Sequence, residues 1–106
     1  MTAFDNKEKG EENKYAHDKE VEFRIFAKYH GLLAEWVARE SGLDAEKAKE
    51  YKGDLIAFDL GKNDEEALFG RVKQDLLAHN VTMDEHKIRE KMYAILQVAK
   101  EYMLGK

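Results

Sequence analysis

Residues 25–37 read IFAKYHGLLAEWV, and the apolar side chains of this stretch recur at the spacing of an amphipathic helix. One stripe is formed by Ile25, Tyr29, Leu32 and Trp36, and it is widened by Phe26, Leu33 and Val37. The pattern extends from about Asp18 to Ser41, and Gly42 follows where a left-handed C-terminal cap is usual. The sequence therefore predicts a long first helix that buries this stripe, with Trp36 as an anchor in the core.

Three further segments have helical periodicity. We predict a second helix from the N-cap Asp44 to about Leu60. A third begins with the capping-box pair Asn63 and Glu66 and ends near Asn80. A fourth begins with a capping box from Thr82 to Glu85. Their core stripes are Ala48, Tyr51, Leu55 and Phe58; Leu68, Val72 and Leu76; and Ile88, Met92, Ile95, Ala99 and Met103. At the rim of the core we expect Tyr51, Tyr93 and Tyr102. The short connections predict antiparallel neighbours, so the fold class is all-α, a four-helix bundle.

The N-terminal residues have a different composition. Seven of the first fourteen are charged, and Phe4 is their only sizeable apolar side chain beyond Met1. Such a segment has no apolar face to bury, and we expect it to be mobile in isolation. We therefore divide the chain into a flexible arm, residues 1–17, and a four-helix bundle, residues 18–106. From composition alone the arm is either a solvated tail or a segment that folds into a groove of a partner.

Composition and motifs exclude several classes of function. The 106 residues include no cysteine, which excludes disulfides and thiolate chemistry, and no proline. A net charge of −4 argues against nucleic acid as the partner, and no apolar run approaches the length needed to span a bilayer. No phosphate-binding glycine loop or nucleophile arrangement is present, so we expect neither an enzyme nor a cofactor.

The four histidines do not form a metal-binding pattern. None has an acidic residue three positions before it, as the di-metal bundles require, and the Asp75–His79 spacing is more typical of a helix C-terminal histidine than of a metal clamp. We expect His17 and His86, which lie near predicted helix starts, to cap or pair locally, with a mild response to pH as the alternative.

The chain resembles the ATPase inhibitor subunit zeta family of alphaproteobacteria nearly end to end. In the arm the resemblance lies in Phe4-Asp5, Lys7-Glu8-Lys9, Glu12 and Lys14-Tyr15-Ala16-His17-Asp18, of which the Ala-His-Asp block is the most specific piece. In the body it lies in Leu32-Leu33, Trp36, Gly42-Leu43, Phe69, Val72, Asp75-Leu76, Val81, His86, Ile88-Arg89, Met92 and Ala99.

This resemblance implies a four-helix bundle preceded by a mobile inhibitory segment, here about residues 1–19. The family binds the F1 part of the F-type ATP synthase, and its arm enters a catalytic alpha/beta interface near the gamma subunit and blocks ATP hydrolysis. On that basis the expected partner-binding residues are Phe4, Asp5, Lys7, Glu8, Lys9, Glu12, Lys14 and Tyr15. Phe4 and Tyr15 would be apolar anchors, and the lysines would be charge partners.

The resemblance also implies a regulatory protein in the cytoplasm, peripheral to the membrane-bound synthase, and we expect a monomer when it is free. The alternatives are a small helical bundle that binds an adenine nucleotide weakly, or one that assists synthase assembly without strong inhibition.

One departure from the family pattern lies in the arm. Related chains tend to have an alanine followed by a bulky apolar residue where this chain has Gly10-Glu11. Glycine disfavours an induced helix by about 1 kcal/mol relative to alanine, and Glu11 removes apolar area. We therefore expect inhibition by this chain to be weaker than that of stronger family members.

Overall fold

The computed structural model describes residues 19–60, 62 and 64–104, and over these ranges it consists of four α-helices. They are α1, Lys19–Glu40; α2, Ala45–Asp59; α3, Glu65–Ala78; and α4, Glu85–Leu104. The all-α four-helix prediction is confirmed. In the part of the chain that the structure describes, no helix is both long and apolar enough to cross a membrane.

Helix α1 is the element that the other three share. Its buried residues all lie between Tyr29 and Ala38, and the core cluster joins them to Leu55 of α2 and to buried residues of α3 and α4. Those of α3 are Leu68, Phe69, Val72 and Leu76, and those of α4 are Ile88, Met92 and Ala99. Trp36 is 5% exposed, which confirms its predicted place in the core.

Contacts between side chains show that neighbouring helices run antiparallel. Going forward along α1, His30 meets Asp59 and Glu35 meets Lys52, so α2 runs in the opposite direction. Gly31 lies on this face, and a Cβ there would stand 3.0 Å from Cε of Lys52. Glycine therefore leaves room on α1 for the stem of a long side chain from α2.

Helix α4 runs antiparallel to α3. Arg89 of α4 holds Glu66 near the start of α3, and Lys73, further along α3, pairs with Glu85 at the start of α4. Tyr93 and Tyr102 of α4 are 66% and 65% exposed, and the prediction that they lie at the core rim is wrong for both. Tyr51 is partly buried against the core.

Two helix C-termini end in left-handed caps. Gly42 has φ 71° and Asn80 has φ 65°. After each, the next amide closes the cap: Leu43 N–H donates to the carbonyl of Ala38, and Val81 N–H donates to that of Leu76. These are Schellman motifs, and they confirm both predicted stops.

The helix N-termini agree only in part with the predicted caps. The carboxylate of Asp44 accepts from Lys47 N–H at 2.8 Å, which confirms the first N-cap. The other two caps are shifted: Asp64 caps α3, and Asp84 accepts from His86 N–H at the start of α4. The predicted caps Asn63 and Thr82 were wrong because each lies one or two residues before an aspartate, whose carboxylate is a stronger acceptor for the orphan amides. Asn63 itself lies outside the described residues.

Adjacent leucines on α3 provide a test of this packing. Leu76 is 1% exposed in the core and Leu77 is 51% exposed. Truncation of Leu76 to alanine removes buried methyl groups and leaves a cavity, so we expect Leu76→Ala to lower the free energy of unfolding by about 2–5 kcal/mol. The matched control Leu77→Ala should change it by roughly 0.5 kcal/mol or less. Urea unfolding followed by circular dichroism measures both, and equal losses would contradict this assignment of the core.

Candidate partner-binding region

The residues expected to bind a partner precede the first described helix. They are Phe4, Asp5, Lys7, Glu8, Lys9, Glu12, Lys14 and Tyr15, and all of them lie outside the described residues. Their roles, the boundary between residues 17 and 18 and the effect of Gly10-Glu11 therefore stay predictions. The structure describes α1 from Lys19 onward, which shows the surface to which these residues are joined.

The start of α1, residues 19–24, is largely exposed. No residue between 19 and 28 is buried, whereas Tyr29, the next, is 1% exposed. Phe23 is 58% exposed, and Arg24 pairs with Glu20 at 2.8 Å on the surface. Residues 19–24 span about 9 Å of helix, and Ile25, the next residue, is partly buried against the core. An apolar side chain, Phe23, is accessible on this segment.

Two tyrosines join α1 and α2 to α3 through carboxylates. Tyr29 of α1 donates its hydroxyl to Glu65 at 2.7 Å, and Tyr51 of α2 donates to Asp75 at 2.6 Å. Burial raises the pKa of both phenols far above the usual value, and the hydrogen bonds to the carboxylates add to this effect. Both tyrosines are therefore neutral hydrogen-bond donors at physiological pH. Their role is to fix the position of α3.

A wide cleft lies between the end of α1 and the start of α4. It has a volume of about 660 Å³, with Trp36 and Met83 in its lining. The charged residues of the lining are Glu40, Asp84, Lys87, Glu90 and Lys91. Three carboxylates against two ammonium groups make it a poor receptor for a polyphosphate, so the cleft gives no support to the adenine-nucleotide alternative.

A smaller groove of about 340 Å³ lies between α3 and α4. Phe69, Met92, Tyr93 and Leu96 give it an apolar floor and wall. The guanidinium of Arg89 lies 3.8 Å from the centroid of the Phe69 ring and covers one end. The groove is thus apolar with a cation at its edge.

The same arginine sets the electrostatics of the start of α3. Arg89 donates two hydrogen bonds to Glu66, at 2.9 and 3.0 Å, in a bidentate arrangement. These hydrogen bonds, and then the charge of the guanidinium, hold the pKa of Glu66 below its ordinary value. Glu66 therefore keeps its charge, and its bond to Arg89, to a lower pH than an isolated glutamate would.

The exposed histidines have local partners. His79 lies just after α3, and its Nδ1 is 2.9 Å from the backbone oxygen of Asp75, while the Asp75 carboxylate accepts from Tyr51 and Arg71. His86 pairs with Glu90 at 3.2 Å rather than with Glu85. In the described ranges no three histidine, aspartate or glutamate side chains are grouped to hold a metal ion. His17 lies outside them.

The buried histidine is the polar residue that sequence reasoning missed. His30 and Asp59 are each 2% exposed at the side chain, and Nε2 of His30 lies 2.8 Å from Oδ2 of Asp59. His30 is on the helical stripe between Phe26 and Leu33, and Asp59 is the last residue of α2. The available signal was one polar residue among apolar residues on each of two neighbouring helices. The sequence alone does not show that these two residues are in contact.

Comparison with known proteins identifies the family of the chain. The family model for ATPase inhibitor subunit zeta matches residues 1–102, and the match includes both the N-terminal residues and all but the end of α4. Searches of curated proteins and of solved structures gave no match. Because the model covers nearly the whole chain, the chain belongs to the ATPase inhibitor subunit zeta family.

Proposed function

We propose that this chain is a regulatory, non-catalytic subunit that binds the F1 part of the F-type ATP synthase and inhibits ATP hydrolysis. The observation that carries the proposal is the family match over residues 1–102, because the matched family is one of ATPase inhibitor subunits and the match includes the N-terminal segment. The site of action is then the membrane-bound synthase, with the chain peripheral to it.

In the proposed mechanism the arm, about residues 1–19, enters a catalytic alpha/beta interface near the gamma subunit. A helix placed between two subunits that must close on each other blocks the closure sterically, and this needs no catalytic group on the inhibitor. The arm has only to bind one rotary state better than the others, because a ligand shifts an equilibrium by its difference in affinity for the states.

The bundle supports this mechanism as a rigid base for the arm. Helix α1 is anchored in the core from Tyr29 to Ala38, and residues 19–24 at its start are largely exposed. A segment that becomes helical on binding can continue this preformed helix, which avoids the unfavourable nucleation step. Phe23 is exposed on this segment and is accessible to a partner.

The proposal predicts that inhibition depends on the arm. We expect ATP hydrolysis by the cognate F1 to fall as full-length protein is added, and to be unaffected by a variant that lacks residues 1–17. This truncation leaves α1 complete from Lys19, so circular dichroism of the variant should still show a folded bundle. Equal inhibition by both proteins would contradict the insertion mechanism, and binding without inhibition by the full-length chain would favour a role in assembly.

Within the arm, the anchors can be tested one by one. Alanine substitution of Phe4 or Tyr15 removes apolar area, and at a buried anchor this should raise the half-inhibitory concentration by one to two decades, equivalent to about 1.5–3 kcal/mol. Substitution of Lys7, Lys9 or Lys14 should weaken inhibition by a smaller factor. That factor should be larger at low salt than at high salt, because salt screens the interactions of exposed charges. Thr2→Ala is the matched control within the arm, and unchanged inhibition in all five variants would reject these roles.

The Gly10-Glu11 pair predicts a gain of inhibition. The double substitution Gly10→Ala and Glu11→Phe restores helix propensity and apolar area in the arm, so it should lower the half-inhibitory concentration by about one to two decades. Titration of F1 hydrolysis with both proteins measures the shift. The prediction is contradicted if the native chain already inhibits strongly and the double substitution does not change the half-inhibitory concentration. Gly10 and Glu11 would then not limit the affinity of the arm.

A further inference from the structure

The groove between α3 and α4 offers an accessible apolar surface. Its floor contains Phe69 and Met92, which belong to the core cluster, and Leu96 is packed against that cluster. Tyr93 forms a wall and is 66% exposed. The volume of about 340 Å³ is that of a site for a side chain and its immediate neighbours, not for a folded domain. An aromatic ring placed here would cover apolar atoms of Tyr93 and Leu96 that now face solvent.

Charged side chains border this groove. The carboxylate of Glu65 accepts from the Tyr29 hydroxyl at 2.7 Å, and its two oxygens have lone pairs for a further donor. The guanidinium of Arg89 lies over the Phe69 ring and is bonded to Glu66. The rim can therefore receive a cation at Glu65, so the groove suits an aromatic side chain that has a lysine close to it in sequence.

The groove is too small for a stable contact with a separate protein. Six of the described residues line it, whereas each side of a stable protein–protein interface has about 20–30 residues. A segment of the same chain does not need so large an area. Its tether gives it an effective concentration in the millimolar range, at which a contact of a few side chains is populated.

The N-terminal segment is long enough to reach the groove. Because Tyr29 is bonded to Glu65 of the rim, the groove lies about ten residues, or about 15 Å, along α1 from Lys19. About fifteen residues lead from Phe4 to Lys19, and a flexible chain of this length has a root-mean-square span of about 20 Å. The span is similar to the distance, which is the condition for a high effective concentration.

Phe4 is the side chain of this segment that matches the groove. It is the only sizeable apolar residue of the first fourteen beyond Met1, and Lys7 follows it three positions later. We propose that in the free protein the N-terminal segment folds back on its own bundle, with the ring of Phe4 in the groove between α3 and α4 and Lys7 paired with Glu65. The docking itself does not depend on the proposed inhibition of F1. Its consequence rests on the proposed function: a docked segment is withheld from F1, so the contact is autoinhibitory.

A nitroxide label tests the docking in the full-length chain. The chain has no cysteine, so Thr2→Cys creates a unique labelling site two residues before Phe4. The nitroxide broadens the NMR signals of nearby amides, and we expect loss of the amide signals of Tyr93 and Leu96. The signals should return when the nitroxide is reduced. They should also be retained when Phe4→Ala is added to the labelled protein, because the anchor is then absent.

A segment that does not dock gives a different pattern. Its nitroxide would stay near the point of attachment, so signal losses would be confined to the start of α1 and to the end of α4, where the Tyr102 ring lies 4.0 Å from Nζ of Lys28. This pattern would overturn the proposal. So would signal losses at Tyr93 and Leu96 that persist in Phe4→Ala.

Two tyrosines of α4 provide a matched pair of variants. Tyr93 and Tyr102 are 66% and 65% exposed, and the nine positions between them, about two and a half turns, place them on opposite sides of the helix. Tyr93→Ser removes a wall of the groove, so the Leu96 signal should be retained in the labelled protein. Tyr102→Ser leaves the groove intact, so that signal should still be lost. Equal results for the two variants would overturn the proposal.

A mixed sample distinguishes the chain's own segment from that of a second copy. Nitroxide-labelled protein without nitrogen-15 is mixed with nitrogen-15 protein that carries no nitroxide. We expect no loss of the Tyr93 and Leu96 signals in this mixture, because the segment that docks is on the same molecule. A loss in the mixture would show that a second copy occupies the groove and would overturn the proposal.

The autoinhibitory consequence is measured with F1. If the groove holds the segment in about half to nine-tenths of the molecules, its release should lower the half-inhibitory concentration by about two- to tenfold. We expect this fall for Tyr93→Ser and no change for Tyr102→Ser. Signal losses that follow the expected pattern without any change in inhibition would support the docking and count against insertion of the arm into F1. The docking and the proposed function can thus fail separately.

Discussion

The bundle depends on one constraint, which is that α1 must form a core with three other helices at once. Its buried residues from Tyr29 to Ala38 are nearly continuous, and they include the small residues Gly31 and Ala34. Small side chains let a helix be covered on more than one side, because each neighbour can approach the backbone. The large residues Leu33, Trp36 and Val37 then fill the spaces between the neighbours. A defect in this stretch would affect the packing of α1 on all three other helices.

The existence and ends of the helices were predictable because they are local properties. Periodicity located all four core stripes, and the left-handed caps at Gly42 and Asn80 follow from residues that tolerate positive φ. The exact starts were less predictable where two capping residues compete, as Asn63 does with Asp64. The exposure of Tyr93 and Tyr102 depends on how α4 packs on its neighbours, which is a tertiary property that a single helical pattern does not contain.

The candidate site is a different case, because its residues lie outside the described ones and their roles stay predictions. Composition separates the first fourteen residues from the rest but does not show that they bind a partner. The expectation of an inhibitory arm comes from the family resemblance, and the family match covers these residues. The buried pair His30–Asp59 was not predictable, because neither residue is unusual in its own helix. What explains their burial is the contact between them, and the two residues are 29 positions apart in the sequence.

The position of α1 links the stability of the bundle to the proposed activity. The helix that forms the core with all three others begins with a largely exposed segment, residues 19–24. In the proposed mechanism, a force on the arm in a closing subunit interface would reach the core through α1. The buried contacts of α1 from Tyr29 onward must resist that force, and the His30–Asp59 pair is among the first of them along the chain. A stable α1 is thus a physical requirement of an inhibitor that acts as a wedge, since a base that unfolds under load would release the partner.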